Sequence, residues 1–439
     1  MTTAQDKIIM TPAFMEVLDL MRDRKCNVFL TGKAGTGKST LLDLFRQQAS
    51  KNVAVLAPTG VAAINVRGET IHSFFRFRNG ITSDQARRRA RSLKHPGMYQ
   101  ELLTIIIDEI SMVRADLLDC IDVFLREVRE DRRPFGGIQM IFIGDLYQLP
   151  PIVNKEELVF FNDVYDSPYF FSSSVFQSMA FMYETYELDQ IFRQKNPEFI
   201  EILNAIRTGV VTFEQLQKLN TRQVANYREN DEGYVYLTGL NRKADEINAE
   251  KLMTIGTPVS EYRRELSGNF DVKSSPVQER LDLKIGAQVM LLNNDVHGRW
   301  VNGSIGTVVE LLEDEVWVDL GGYVEAVTPH KWKLEKYVYQ EEKKQLVQET
   351  IGTITQFPLK LAWAITIHKS QGKTFEKVII DFSKGIFATG QAYVALSRCR
   401  SLEGLRLTCG VTKRHVLFDR RVKSFMTPEK KTADPEMLF

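Results

Sequence analysis

The sequence predicts an α/β protein with two parallel-sheet units, and three observations support this fold class. Apolar runs alternate with helical patterns in the first half, and each run is continuously hydrophobic, as strands buried on both faces are. A second set of predicted strands begins at residue 183. The segment 257–351 instead has short strands separated by Asn-rich and Gly-Gly turns, which predicts an inserted small β-barrel. The expected strands are residues 27–30, 53–56, 103–107 and 140–143 in the first unit and 183–188, 235–238, 378–381 and 405–408 in the second.

Length and composition indicate a globular protein. At roughly 150 residues per domain, 439 residues suggest about three folded units. Hydrophobic residues make up 44% of the chain and charged residues 26%, which excludes a disordered or fibrous protein. No apolar run approaches the ~20 residues that cross a bilayer, and the N-terminus lacks a signal sequence. We therefore expect a cytoplasmic protein with no membrane partner. The four cysteines lack the spacing of a zinc site or a disulfide framework.

Charge is distributed unevenly along the chain. The 57 basic and 56 acidic side chains give a net charge of +1, which by itself predicts no polyanion partner. Between Arg76 and Lys94, however, seven basic side chains accompany one acid, a local charge of +6. Such a cluster attracts phosphate backbones, although a solvated helix face would have the same composition.

The ends of the first four strands carry the residues that do chemistry. Glycine or polar residues follow each strand, at 31–33, 57–59, 108–109 and 144–145. In an open parallel sheet, ligands bind at the carboxyl ends of the strands. We therefore expect these four segments to meet in one crevice.

The first of these segments is a phosphate-binding loop. Residues 32–39 fit the pattern G-x-x-x-x-G-K-[ST] between a predicted strand and a predicted helix, and this context disfavours a chance glycine-rich turn. The loop N–H groups and the helix N-terminus favour an anion, Lys38 reaches the β and γ phosphates, and the Ser39 hydroxyl is offered to Mg²⁺. The predicted nucleotide-binding residues here are Gly32, Gly35, Thr36, Gly37, Lys38, Ser39 and Thr40.

Further catalytic candidates follow from the chemistry of phosphoryl transfer. Asp108 would hold Mg²⁺, and Glu109 would polarise the attacking water. Gln148, after the fourth strand, is placed to sense the γ phosphate or to orient that water. Arg193 and Arg398 are candidates for the arginine fingers that stabilise transition-state charge. From spacing alone, structural acids and surface arginines remain open alternatives.

The order of the motifs resembles superfamily 1 helicases. Residues 32–39, 108–113, 144–151, 368–374 and 393–398 match that motif series. Asp-Glu-Ile-Ser-Met, with Gln-Leu-Pro-Pro downstream, is similar to the RecD-like branch and most closely to the petite-integration-frequency (PIF) family. The resemblance covers roughly residues 10–425. One departure is that no glutamine precedes the phosphate loop at the place where many relatives read adenine.

The resemblance implies two RecA-like domains that bind ATP and Mg²⁺ between them. Gly372 then joins the nucleotide-binding residues, and both arginines become fingers. The inserted β unit is similar to an SH3-like subdomain. The expected domains are residues 1–65 with 104–183, a small basic insert beside the fork at 66–103, a second RecA-like domain at 184–256 with 352–425, the SH3-like insert at 257–351, and a tail at 426–439.

The resemblance also implies DNA contacts and an activity. It implies an ATP-dependent helicase core, bacterial or phage-like and monomeric in solution, that moves 5′ to 3′ on single-stranded DNA. Forked or tailed duplexes, RNA–DNA hybrids and G-quadruplex DNA are its implied substrates. A nucleotide-gated loading ATPase that moves no strand is the alternative, and an RNA helicase of another superfamily is disfavoured because its Asp-Glu-Ala-Asp box is absent. The predicted DNA-contacting residues are Pro58, Thr59, Gly60, His72, Phe74, Thr366, His368, Lys369 and Ser370.

Overall fold

The first lobe is built on a six-stranded parallel sheet with strand order β3-β2-β4-β5-β1-β6. A computed structural model describes residues 10–24, 26–48, 52–224, 232–268, 275–383 and 385–427. The inner strands are buried on both faces, which confirms the strands expected from continuous apolar runs. The strands are β1 (Asn27–Gly32), β2 (Val53–Ala57), β3 (Glu69–Thr70), β4 (Thr104–Ile107), β5 (Gln139–Ile143) and β6 (Tyr183–Leu188).

Helices cover both faces of this sheet. The longest, α7, directs Leu118, Ile121, Phe124 and Leu125 into the core, as its 3.6-residue periodicity requires. The helices of this lobe are α1 (Pro12–Arg22), α2 (Lys38–Gln48), α3 (Gly60–Asn65), α4 (Ile71–Phe75), α5 (Ser83–Arg91), α6 (Gly97–Gln100), α7 (Ala115–Arg129), α8 (Lys155–Asn162) and α9 (Ser174–Gln177).

Strand β6 lies in a different sheet from the one expected. It was predicted to open the second unit, but it pairs in parallel with β1 from Asn27↔Tyr183 to Gly32↔Leu188. Only Leu188 of β6 is fully buried, because β6 is the edge strand of this sheet. An apolar pattern shows that a strand exists but not which sheet an edge strand joins.

The basic segment 66–103 is part of the first lobe and not a separate unit. Strand β3 pairs with β2, and the rings of Phe75 and Tyr99 pack against Phe124 of α7. Part of the local charge is also compensated, because Arg91 Nε lies 2.6 Å from Glu127 Oε1. The segment shares its core with the rest of the lobe, and the small inserted basic subdomain beside the fork is not confirmed.

The chain next forms the first part of a second lobe and then an antiparallel insert. The elements before the insert are α10 (Pro197–Thr208), α11 (Phe213–Asn220), β7 (Val235–Thr238) and α12 (Asn241–Thr254). The insert contains β8 (Ser260–Arg263), β9 (Glu265–Gly268), β10 (Arg280–Leu283), β11 (Gln288–Leu291), β12 (Ile305–Leu311), β13 (Val316–Asp319), β14 (Val324–Val327), β15 (His330–Gln340), β16 (Gln345–Gln356) and β17 (Leu359–Leu361).

The insert consists of three small antiparallel sheets. Five strands follow the order β14-β13-β12-β11-β17 around a core of their own, β8 pairs with β10, and β9 joins the β15–β16 hairpin. The insert ends later than residue 351, because β16 runs to Gln356 and β17 pairs with β11. The likeness to an SH3 barrel stays a prediction.

The β15–β16 hairpin reaches from the insert to the first lobe. The Tyr337 hydroxyl accepts a hydrogen bond from Val55 N at 2.9 Å, and Tyr337 N donates to Glu69 Oε2 at 3.0 Å. Tyr337 and Leu346 are buried in the core of the first lobe. The insert is therefore attached to the second lobe by the chain and to the first lobe by packing.

The second lobe is completed by a four-stranded parallel sheet with order β18-β7-β19-β20. Its remaining elements are β18 (Ala364–Thr366), β19 (Val378–Ile380), α13 (Gln391–Leu396), β20 (Leu405–Leu407) and α14 (Arg420–Met426). The α/β class and both parallel sheets are confirmed. Helix α14 was assigned to the second domain, but Phe425 stacks on Phe171 of the first lobe with ring centroids 4.4 Å apart. The predicted tail lies outside the described residues from 428 onward.

The helices and the cysteines in the described part of the chain bear on two expectations from the sequence. None of its helices is long and apolar enough to span a membrane. Cys26, Cys120, Cys399 and Cys409 are all free thiols, and Cys120 and Cys399 are buried.

Candidate active site

A cavity of about 1000 Å³ lies between the two lobes. It brings together most of the residues that the sequence selected for nucleotide chemistry: Gly35, Thr36, Gly37, Lys38, Ser39, Thr40, Glu109, Gln148, Arg193, Gly372 and Arg398. Gly32 and Asp108 are not part of the lining. Residues separated by more than 300 positions in sequence thus face one space.

The phosphate loop connects β1 to α2 and is covered by the chain that follows β6. Gly35 has φ 83°, and a Cβ there would lie 2.5 Å from Arg193 Cβ, so only glycine allows this approach. Gly35 O accepts a hydrogen bond from Phe192 N at 2.9 Å. Lys38 Nζ donates to Gly32 O at 2.6 Å and to Lys33 O at 3.0 Å, and burial lowers its pKa. The loop is therefore preformed, with an ammonium group enclosed at its centre.

The two carboxylates after β4 differ from ordinary surface acids. Burial raises the pKa of Asp108 to about 6, and burial together with the charge of Asp108 raises the pKa of Glu109 to about 7. Glu109 has φ 52°, an uncommon conformation for a residue with a side chain. Its Oε2 accepts a hydrogen bond from Gln371 Nε2 of the second lobe at 3.1 Å. Two adjacent, desolvated carboxylates suit a base and a ligand for a divalent cation.

Two guanidinium groups supply positive charge from the opposite side. Arg398 is 1% exposed and donates to the carbonyl oxygens of Val394, Lys373 and Ser370 at 2.9, 3.1 and 3.3 Å. Burial lowers its pKa to about 9, and the nearby charge of Arg193 contributes to this shift. Two neighbouring cations beside a phosphate loop favour a polyanionic ligand between the lobes.

Several residues that complete the site were not selected from the sequence. The Tyr393 hydroxyl accepts a hydrogen bond from Ala34 N of the phosphate loop at 2.9 Å. Gln194 Nε2 donates to Ser397 O at 3.0 Å and to Cys399 O at 3.1 Å. Tyr393 could have been found from its position in the same short motif as Arg398. Gln371 could likewise have been found from its position in the motif at 368–374. Arg207 carried no comparable signal, because it lies outside these motifs.

An aromatic pair at the mouth of the cavity was also missed. The rings of Phe14 and Phe192 meet edge to face with centroids 6.4 Å apart, and both residues line the cavity. Phe14 lies on α1, in the segment before the phosphate loop where many relatives have a glutamine that reads adenine. Aromatic faces bind a nucleobase without reading its hydrogen-bonding groups, so they could hold the base in the absence of that glutamine.

The predicted DNA-contacting residues are distributed over both lobes, outside this cavity. Thr59 is exposed and caps α3 by accepting a hydrogen bond from Ala62 N at 3.2 Å, and Gly60 is the first residue of that helix. Pro58 and His72 are half-buried, whereas His368 and Lys369 are exposed at the end of β18. These placements are compatible with a strand crossing both lobes, and the contacts themselves stay predictions.

Three of the proposed DNA contacts face inward. Phe74 is 2% exposed and packs against Phe75, Tyr99 and Tyr337, so its ring is not available for the predicted DNA contact. Ser370 is fully buried, and its Oγ donates to Ile367 O at 2.7 Å. Thr366 is 3% exposed.

The fold and the cavity define a two-lobed ATPase with a phosphate loop in one lobe and arginines facing it from the other. A family profile described as PIF1-like helicase matches residues 4–217, and one described as DNA helicase Pif1, 2B domain, matches residues 269–311. The chain is 34% identical over 433 residues to the ATP-dependent DNA helicase Pif1 of Bdellovibrio bacteriovorus, covering 95% of this chain and 92% of that one. The chain belongs to the Pif1 family of DNA helicases, which couple ATP hydrolysis to DNA unwinding.

Vertebrate relatives are longer. The human ATP-dependent DNA helicase PIF1 is 36% identical over 403 residues, which are 87% of this chain but 58% of the human protein.

Solved structures of relatives fall into two groups. Bacteroides Pif1 in complex with ADP-AlF4 matches with a TM-score of 0.89 and 39% identity, covering 95% of this chain and 96% of that one. Bacteroides Pif1 bound to single-stranded DNA matches with a TM-score of 0.65 at 38% identity, again covering 95% and 96%. Identity and coverage hardly differ between the two comparisons, so the present structure is more similar in conformation to the ADP-AlF4 complex than to the complex with single-stranded DNA.

Proposed function

We propose that this helicase, a monomer in solution, moves 5′ to 3′ on single-stranded DNA and unwinds forked or tailed duplexes, RNA–DNA hybrids and G-quadruplexes. One observation carries the motor mechanism: Lys38, Glu109, Arg193 and Arg398 line a single cavity between the lobes. Solved structures of relatives support the substrate class, because one is Bacteroides Pif1 bound to single-stranded DNA and another concerns DNA unwinding at forked duplex DNA by two coordinating Pif1 helicases. A cytoplasmic location is part of the same proposal.

In the proposed reaction the phosphate loop binds ATP and Lys38 contacts its β and γ phosphates. Ser39 and Asp108 would hold Mg²⁺, which when bound neutralises charge on the phosphate oxygens. The raised pKa values of Asp108 and Glu109 fit a cation, because a nearby positive charge would keep both groups ionised. Glu109 orients and polarises the attacking water.

Both lobes complete the site. Gln148 of the first lobe contacts the γ phosphate or the attacking water, and Arg193 and Arg398 stabilise the charge that develops during transfer. Arginine fingers contribute on the order of 10³ to 10⁵ in rate. Because these guanidinium groups approach from the other lobe, ATP favours a closed cleft and its hydrolysis removes that preference.

Movement requires that the nucleotide state change the affinity of one DNA contact set relative to the other. A ligand that is indifferent to two conformations shifts neither. Thr59 and Gly60 contact the strand from the first lobe, and His368 and Lys369 contact it from the second. Opening and closing of the cleft then changes the spacing between the two sets.

Unwinding of matched duplexes with a single-stranded 5′ or 3′ tail tests the direction. The 5′-tailed duplex should be unwound, and preference for the 3′ tail would overturn the proposal.

ATPase measured with and without an oligonucleotide separates a motor from the alternative loading ATPase. The motor requires hydrolysis that is stimulated by DNA together with strand separation. Stimulated hydrolysis without unwinding of any tailed duplex would instead favour the loader.

A further inference from the structure

Arg207 is a buried cation on α10 whose partners lie in the first lobe. Its side chain is 5% exposed, and Nη2 lies 3.2 Å from Asp145 Oδ1 and 3.1 Å from Glu187 Oε1. Its guanidinium lies over the Tyr147 ring at 4.2 Å from the centroid. Burial alone would lower the pKa of Arg207, but the charges of Asp145 and Glu187 overcome this effect and raise it. Arg207 therefore remains a cation held against the segment that follows β5.

Asp145 connects Arg207 to the cavity. Its side chain is fully buried, Oδ1 pairs with Arg207, and Oδ2 accepts a hydrogen bond from Gln148 Nε2 at 3.1 Å. Gln148 lines the cavity between the lobes. One carboxylate thus joins a guanidinium of the second lobe to the amide expected at the γ phosphate.

The loop before α13 of the second lobe also contacts residues 147–148. Gly390 has φ 72°, and a Cβ there would lie 2.2 Å from Gln148 O and 2.4 Å from Tyr147 O. The backbone of residues 147–148 therefore rests directly on Gly390, which precedes α13. Arg398 follows that helix. Although Gln148 belongs to the first lobe by sequence, its position is set largely by the second.

We propose that Arg207 is a positioning residue for ATP hydrolysis, which acts through Asp145 to hold the Gln148 amide at the cavity. Without Arg207, the buried Asp145 carboxylate would be left with an uncompensated charge and would turn away toward water. Gln148 would then lose a charged acceptor for its amide. Misplacement of a catalytic group by about 1 Å can cost about 100-fold in rate. The inference rests on the role proposed above for Gln148.

The steady-state ATPase of Arg207→Met, measured with saturating thymidine oligonucleotide, tests the proposal. We expect kcat to fall about 30- to 100-fold while the KM for ATP changes by less than about threefold. Arg114→Met is the matched control, since Arg114 also pairs with two acids, Asp116 and Glu157, and lies 5.2 Å from an aromatic centroid. It should stay within about twofold of wild type.

A double-mutant cycle with Gln148→Ala distinguishes positioning from a general structural role. If Arg207 acts through Gln148, the kcat of the doubly substituted protein should be no lower than that of the less active of the two single variants. Effects on kcat that multiply would overturn the inference. If Arg207→Met does not fold, as judged by its melting transition, the same cycle is run with Arg207→Lys, which keeps the charge.

The two proposals fail in different ways. Wild-type hydrolysis that DNA does not stimulate would contradict the proposed function. Stimulated wild-type hydrolysis, together with effects of the two substitutions on kcat that multiply, would contradict only the role of Arg207.

Discussion

At the scale of single residues, the chemistry of a motif is easier to predict than the burial of its side chains. Lys38, Glu109 and Arg398 were selected because phosphoryl transfer needs a cation, a base and a finger, and all three line the cavity. Phe74 was selected because a motif places it near DNA, yet it lies in an aromatic core. Sequence shows which residue types are present but not which side chains other elements will cover.

Lys38→Ala should abolish hydrolysis and retain some DNA binding. The Lys38 ammonium is enclosed by the phosphate loop and is not one of the predicted DNA contacts. Its loss should therefore remove only the stabilisation of the phosphates. ATPase and oligonucleotide binding by fluorescence anisotropy measure the two effects. Full loss of DNA binding in a folded Lys38→Ala protein would contradict the expected separation.

Phe74 and His72 should respond differently to truncation, because one is buried and the other is half-exposed. Phe74→Ala removes a buried ring and should lower the free energy of unfolding by about 3 to 5 kcal/mol. His72→Ala should change stability by less than about 1 kcal/mol and weaken oligonucleotide binding. Urea denaturation and anisotropy check the pair, and equal losses of stability would contradict this assignment.

Lys360 should make stability depend on pH. It lies on β17 opposite Met290, and burial together with the charges of Lys373 and Lys369 lowers its pKa to about 7. Between that value and the roughly 10.4 of an unfolded chain, the unfolded state binds more protons, so stability rises with pH. The free energy of unfolding should therefore increase more from pH 7 to 9 in wild type than in Lys360→Met. Lys331→Met, an exposed lysine of the insert, should keep the wild-type slope.

At the scale of elements, the positions of strands in the sequence were predicted better than the pairing of those strands in sheets. Continuous apolar runs identified β1, β2, β4 and β5, because burial on both faces leaves a direct trace in sequence. The pairing of β6 with β1 and the extension of the insert through β17 left no such trace. Both depend on contacts between segments that are distant in the chain.

The β15–β16 hairpin offers a test at this scale. Tyr337→Phe would leave the buried Val55 N–H without its acceptor and should lower the free energy of unfolding by about 1 to 3 kcal/mol. Tyr339→Phe is the matched control, since Tyr339 lies on the same strand and is only half-buried. Its effect should be smaller, and equal effects in urea denaturation would argue against the role of the Tyr337 hydrogen bond.

At the scale of the whole molecule, the order of motifs correctly predicted two parallel sheets around one nucleotide cavity. The arrangement of the lobes could not be predicted, because it depends on Arg207, Tyr393 and the hairpin, whose partners are remote in sequence. The structure is more similar to a relative's complex with ADP-AlF4 than to its complex with single-stranded DNA, so we expect single-stranded DNA to rearrange the lobes and the insert.

Energy transfer between dyes on the first lobe and the insert should detect this rearrangement. Met179→Cys and Val296→Cys place labels at positions that are 99% and 90% exposed, with Cys26 and Cys409 replaced by serine. Single-stranded DNA should change the transfer efficiency, whereas ADP-AlF4 alone should change it little. Unchanged efficiency with DNA, at concentrations that stimulate hydrolysis, would contradict the expectation.

The hairpin between the insert and the first lobe also limits how the molecule can deform. Its tip is anchored by Tyr337 and Leu346, while its base belongs to the insert. The ladder is interrupted between Leu334 and Glu335, where the register shifts. Bending at that irregularity breaks the fewest hydrogen bonds, so we expect the insert to rotate about this point. The length of the hairpin then sets the largest distance by which the lobes can separate.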